Sequence, residues 1–169
     1  MSYRNKTYVI FDADSDRWAY AYMKGWKSND NMDFNFHDAH DIGPITDWAS
    51  DDTIKARLRQ RFSNAKQAIV LVGENTKSLR KWVPWEIDIS QKLYLPIVVV
   101  NLNGLRTIDS NLCPVSLRKW PAVHVAYKAA IIQYALDSFP AQYSSIQAST
   151  EGAYDWYYYG DHVYKALGL

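Results

Sequence analysis

The chain of 169 residues holds a single cysteine, Cys113. One thiol excludes an internal disulfide framework, and so little cysteine fits a reducing compartment. Charge is not in surplus either: 19 Lys and Arg stand against 18 Asp and Glu, a formal net charge of +1. That balance builds no global field for nucleic acid or an anionic membrane, so neither is expected as a partner and any ligand is recognised by a local site. No apolar run approaches the roughly 20 residues of a membrane span, and MSYRNKTYVIF lacks the hydrophobic segment of a signal peptide. A cytoplasmic location is therefore expected. Also missing are GxGxxG after the first strand, the GxxxxGKS or GxxxxGKT phosphate loop, a GxSxG elbow and any paired-cysteine metal motif, which removes the usual support for dinucleotide-fold, NTPase and hydrolase readings. Aromatics, by contrast, are abundant: seven Trp, thirteen Tyr and five Phe point to cores and clefts built from rings.

Hydrophobic spacing orders the chain. TYVIFD (7–12) reads as a buried strand ending in acids, and DRWAYAYMKGWK (16–27) sets Trp18, Tyr22 and Trp26 at helical spacing, with Ser15 or Asp14 available to cap. Phe34 and Phe36 alternate in DFNFHD as a second strand, followed by a long polar loop with Gly43 and Pro44. From Ser50 a helix is signalled by Asp51 and Asp52 at its positive end and by Ile54, Leu58 and Phe62 on one face. QAIVLVG (67–73) and LPIVVVN (95–101) are near-continuous apolar runs, the pattern of parallel strands buried on both faces. Between them Pro84, tolerated only in a first turn, predicts a helix starting near Trp82. PAVHVAY supplies a short edge strand and residues 128–138 a last helix. Five strands alternating with helices predict an α/β, doubly wound parallel five-stranded sheet with helices on both faces, its ligand crevice beyond the carboxyl ends of the strands. Residues 1–138 form the expected domain. Residues 139–169, small and polar and then rich in aromatics, are expected as an extension packing on it.

Two stretches carry candidate chemistry. His37-Asp38-Ala39-His40-Asp41 is dense in metal-ligand types, but no third ligand is fixed by spacing; a polar turn is the plainer reading, and no metal is expected. Acids after the first strand, Asp12, Asp14 and Asp16, suggest a receiver-like phosphoacceptor, but the third strand ends Val72-Gly73-Glu74 where that chemistry needs an aspartate. KWVPWEIDIS (81–90) has Glu86 and Asp88 about 200° apart on a helix, so they serve different purposes. Glu86, at the end of the first turn, is placed to face the mouth of the crevice or else to act as a capping residue. A nearby helix N-terminus stabilises its carboxylate, while flanking indoles desolvate it.

RKWVPWEI, preceded by SDDTIKARLRQRFSNAKQAIVLVGENT and by FHDAH, resembles the TIR-like domains of the B protein of the bacterial Thoeris antiphage system, over roughly Thr7 to Ala126. The resemblance implies a flavodoxin-like (TIR-like) fold and an enzyme that cleaves NAD as its substrate, with no cofactor, to give a cyclic ADP-ribose isomer or related conjugate. It also implies homo-oligomers on activation, a phage-derived activator and a downstream effector reached through the small-molecule product. The glutamate of the family's W-V-x-x-E segment falls on Glu86, making it the catalytic residue. Asp38 in FHDA resembles the family's F-D-A segment beside the nucleotide. Where family members often carry serine next to an aromatic at the end of the first strand, this chain has Ile10-Phe11-Asp12.

The chemistry is self-consistent. Nicotinamide leaves NAD as a neutral group from a pyridinium, so no general acid is needed and one carboxylate suffices to stabilise an oxocarbenium-like ribose. Phe11 and Asp12 at the end of the first strand, Asp38 and Trp48 in the long loop region, and Trp82 and Trp85 beside Glu86 are the candidates for binding substrate and excluding water. Each has a plain alternative: core packing for the rings, a turn for Asp38, and a solvated helix face for Arg57, Arg59 and Arg61. The rival function is a non-catalytic, self-associating TIR or receiver-like module.

Overall fold

The computed structural model describes residues 6–32, 34, 36–38, 49–148 and 158–169. Its centre is a parallel sheet in the order β2-β1-β3-β4-β5, formed by β1 (Lys6–Ile10), β2 (His37–Asp38), β3 (Gln67–Val72), β4 (Ile97–Asn101) and β5 (Val123–Ala126). Tyr8 pairs with Ala68, and Ala68 with Ile97, which fixes the register of the three central strands. Every residue of β3 and β4 is buried, as their unbroken apolar runs require of strands covered on both faces.

Strand alternation sorts side chains into two cores. Val9, Ile69, Leu71, Val98 and Val100 point to one face, where Ala19 and Met23 of α1 (Arg17–Ser28) and Ile131, Ile132 and Ala135 of α5 (Ala129–Ala148) cover them. Tyr8, Ile10, Val70 and Val99 point to the other. There they meet Ile54, Leu58 and Phe62 of α2 (Asp51–Phe62), Val83 and Ile87 of α3 (Trp82–Lys92) and Leu117 of α4 (Val115–Arg118). This is the doubly wound, flavodoxin-like arrangement expected from the element order.

Local signals act largely as read. Ser50 caps α2, its Oγ accepting from the Thr53 amide at 3.2 Å, with Asp51 and Asp52 in the first turn. Helix α3 begins at Trp82, with Pro84 in its first turn, where a missing N–H costs nothing. Three details differ. Asp16, rather than Ser15 or Asp14, occupies the α1 N-cap, and its side chain makes no capping bond. The second strand pairs through His37 and Asp38, while Phe34 and Phe36 are committed to the α1 and α5 core. Helix α5 runs to Ala148 through Pro140, so the expected boundary at 138 falls inside it. Phe139 and Tyr143, four residues apart, are buried in the core and hold the helix together past the proline, their ring centroids 5.9 Å apart. Beyond the undescribed residues that follow α5, Tyr158 bridges to His124, and Tyr164 of α6 (Asp161–Ala166) is fully buried against the same core.

Candidate active site

Glu86 is the fifth residue of α3, one position past the turn that Pro84 can occupy, and its direction follows from the helix period. Val83, Glu86, Ile87 and Ser90 are all buried, which makes this stripe the one pressed on the sheet. Glu86 therefore points inward, not outward to a mouth, and is only 7% exposed. Its Oε1 accepts a hydrogen bond from the Tyr8 hydroxyl at 2.7 Å. Tyr8, in the middle of β1, is fully buried and stacked on Phe62 with centroids 3.9 Å apart. Helix capping is not the role of Glu86, because its carboxylate is spent on a tyrosine 78 residues away in the chain.

Arg61 completes the cluster. It is half-buried, unlike exposed Arg57 and Arg59, and its side chain hydrogen-bonds the Tyr8 hydroxyl. Burial pushes the Glu86 carboxyl up to about 7, against the opposing pull of the Tyr8 hydrogen bond and the Arg61 charge. Burial, followed by the negative charge of Glu86, pushes the Tyr8 phenol well above its ordinary range, so Tyr8 remains a donor at any working pH. The result is a carboxyl poised between its two protonation states at neutrality, held in place by a donor that does not ionise.

The surrounding candidates do not all converge on Glu86. Trp82 is half-buried against the α2 and α3 core. Trp85 lies beside it with Lys55 Nζ 4.6 Å and Lys81 Nζ 5.7 Å from its ring centre, so its faces are engaged by lysines of α2 and of the residue before α3. Phe11 follows Val9 in alternation and stacks on Tyr20 at 4.7 Å, on the opposite face of the sheet from Glu86. The expectation that Phe11 and Glu86 wall one hollow is thus corrected by strand periodicity. Asp12 is buried at the end of β1, its Oδ1 accepting from the Asp14 amide at 3.0 Å. The backbone of Asp38 pairs with Thr7 in β2, with only that backbone described, and Trp48 lies outside the described residues.

Cavities flank the acid without including it. One of about 170 Å³ is lined by Trp85, Asp88 and Lys92, and another of about 220 Å³ by Val83, Pro84 and Ile87; Glu86 lines neither. Among the described residues no group of three His, Cys, Asp or Glu side chains is arranged to hold a metal. None of the described helices is long and apolar enough to cross a membrane. Sequence reasoning passed over Tyr8 and read Arg61 as part of a solvated helix face, and the signals for both were available. A tyrosine at the centre of a buried strand needs a partner for its hydroxyl. An arginine one residue before Phe62 sits at the rim of the face that Phe62 buries.

A five-stranded parallel sheet with β1 and β3 adjacent, helices on both faces and a buried acid on the helix after β3 make this a doubly wound, flavodoxin-like α/β domain. Residues 8–107 match the family described as Thoeris protein ThsB, TIR-like domain. That is more than half of the chain, and the chain belongs to this family, whose place is antiphage defence signalling. The matched stretch contains Tyr8, Arg61 and Glu86 and ends just past β4; β5, α5 and α6 lie beyond it.

Proposed function

We propose that this chain is an NAD-cleaving enzyme of antiphage defence that releases nicotinamide and forms a cyclic ADP-ribose isomer or related signal for an effector protein. The observation that carries the reading is the buried Glu86, raised to about 7 and fixed by Tyr8 under the charge of Arg61. As a carboxylate it stabilises positive charge growing on the ribose as nicotinamide departs, and in a dry, low-dielectric setting that stabilisation is strong. Exclusion of water also favours capture of the ribosyl cation by the adenine nucleotide itself, hence cyclisation over hydrolysis. NAD is the substrate, and the scheme needs no cofactor.

Access is the condition. Glu86 is closed against β1, so a substrate meets it only after α3 or the cover near Tyr8 moves, and self-assembly triggered by a phage-derived activator supplies such a movement. The test is nicotinamide release from NAD, measured for the chain with and without extract of infected cells, and for Glu86→Gln. Release by the activated native chain and a loss of at least about 100-fold in the variant are expected. No release under either condition falsifies the catalytic reading.

The same closure favours a second reading, a non-catalytic module that self-associates through its surface. Thermal shift separates the two: NAD or ADP-ribose raises the melting temperature of a nucleotide-binding chain and leaves a pure scaffold unchanged.

A further inference from the structure

Away from Glu86, at the end of the sheet where β3 and β4 begin, a cavity of about 390 Å³ opens between the last turns of α2 and α3. Its floor is apolar: Phe62, Ala65, Ile89 and Leu95 line it from the core that they otherwise belong to. Arg59, Lys66 and Lys92 stand around that floor, and no Asp or Glu is part of the lining. Tyr8, Arg61 and Glu86 take no part in it.

The three cations differ in what they already hold. Lys92 is engaged by Asp88 at 2.7 Å, one turn back on α3. Arg59 and Lys66 are exposed and form no ion pair among the described residues. A helix C-terminus ordinarily opposes an anion, because its last carbonyls are unpaired. Here the Phe62, Ser90 and Gln91 oxygens already accept from the Ala65, Leu95 and Tyr94 amides. Two uncommitted cations over an apolar floor remain, and their complement is an anion with an apolar body.

Tyr94 is a second, independent observation. Its amide donates to the Gln91 oxygen and the Leu95 amide to the Ser90 oxygen, each at 3.0 Å, a helix closure that demands positive φ at the residue after the cap and ordinarily uses glycine. Tyr94 takes φ 51° there, alone among the described non-glycine residues. Its Cβ makes that conformation unfavourable, and the ring gains little burial in return, being 65% exposed beside Leu93 at 48%. Both side chains line the cavity at its mouth. A strained residue whose ring packs on nothing in the fold is accounted for by a contact made outside it.

We infer that this cavity binds a small organic anion, an apolar body bearing a carboxylate or phosphate, with the body on Phe62, Ile89 and Leu95 under Tyr94 and the charged head held by Arg59 and Lys66. Its volume falls in the range of roughly 300 to 1,000 Å³ that small-molecule pockets occupy. The inference uses none of the Glu86 cluster and stands whether or not the chain cleaves NAD.

The experiment is titration of the ¹⁵N-labelled full chain at constant ionic strength, following the amides of Lys66, Leu93, Tyr94 and Leu95. The probes are 2-naphthoate, 2-naphthyl phosphate, the cation 2-naphthylmethylammonium, and inorganic phosphate, which lacks the body. Saturable shifts are expected with a naphthyl anion, the tighter of the two identifying the head group, and binding at least about tenfold weaker for the cation and for inorganic phosphate. Arg59→Gln and Lys66→Gln, both exposed substitutions, each weaken the naphthyl anion by about threefold or more, and Glu86→Gln leaves it unchanged. Tyr94→Gly weakens it too, while the melting temperature holds or rises because the strain is relieved, a combination that a purely structural tyrosine does not give. Absence of saturable shifts, shifts centred on other amides, equal binding of the cation or of inorganic phosphate, undiminished affinity in Arg59→Gln, Lys66→Gln or Tyr94→Gly, or weakening in Glu86→Gln each overturns the assignment.

Discussion

Tyr8 and Glu86 meet at 2.7 Å in the space between the sheet and α3, with Arg61 hydrogen-bonded to the same tyrosine. The contact joins the first strand to the third helix at a point where both are fully committed to packing. It therefore sets both the charge state of the acid and the position of the helix.

Tyr8→Phe removes the donor and leaves ring and volume in place. The variant is expected to lose about 1 to 3 kcal/mol, since a buried acceptor is then unsatisfied, and to lose more above pH 7, where the Glu86 charge has no partner hydroxyl. Urea unfolding at pH 5.5 and pH 8, compared at constant slope, measures both. Equal midpoints for native and variant chains would show the hydrogen bond to be immaterial.

The pH dependence of stability has a definite sign. Glu86 titrates at about 7 in the folded chain against 4.5 when unperturbed, so the native state binds its proton more tightly than the unfolded state. Its stabilising contribution is complete below about 4.5 and is lost as pH rises through about 7, by on the order of 3 kcal/mol. The stability of the native chain relative to Glu86→Gln is thus expected to fall across that window and level off above it. A difference flat with pH would place the carboxyl at an ordinary value.

Arg61→Met takes away the positive charge that opposes burial. The Glu86 midpoint, followed by ¹³C chemical shift of its carboxyl carbon, is expected to move above about 7, while Arg61→Lys keeps the charge and moves it less. If nicotinamide release is measurable, its rise with pH shifts in the same direction. An unmoved midpoint in Arg61→Met would remove Arg61 from the cluster.

Tyr164→Phe tests the C-terminal segment. The Tyr164 hydroxyl accepts from the Ala126 amide at 3.1 Å, and its loss leaves a buried N–H at the end of β5 unpaired. A destabilisation of about 1 to 3 kcal/mol is expected, with faster hydrogen exchange of the Ala126 amide. Unchanged exchange would mean that the contact does not hold the segment down.

The sheet was legible because QAIVLV and IVVVN have no polar face to offer, and because Ser50 and Pro84 mark helix starts by simple sterics and hydrogen bonding. The second strand was read as starting too early because Phe34 and Phe36 alternate as strand residues do, yet their burial comes from packing into the core on the α1 and α5 side, which one segment alone does not reveal. Pro140 likewise reads as a helix end until Phe139 and Tyr143 are seen to be core. At the candidate site Glu86 was legible from its helix and its flanking rings, but its direction was not. Whether a fifth helical residue looks to solvent or to the sheet depends on where Tyr8 stands, and that is a contact across 78 residues. Asp16 was seen as one acid in a series; its turn away from the helix it caps depends on the missing side chain of Gly73.

The bridge from His124 to Tyr158 and the Tyr164 hydroxyl on the Ala126 amide fall on alternate residues of β5. Together they occupy the outward-facing backbone positions of that strand. A second copy adding its own strand alongside would find no free rung there, so fibril-like growth from this border is blocked by the chain's own tail, and copies that associate on this side do so through side chains.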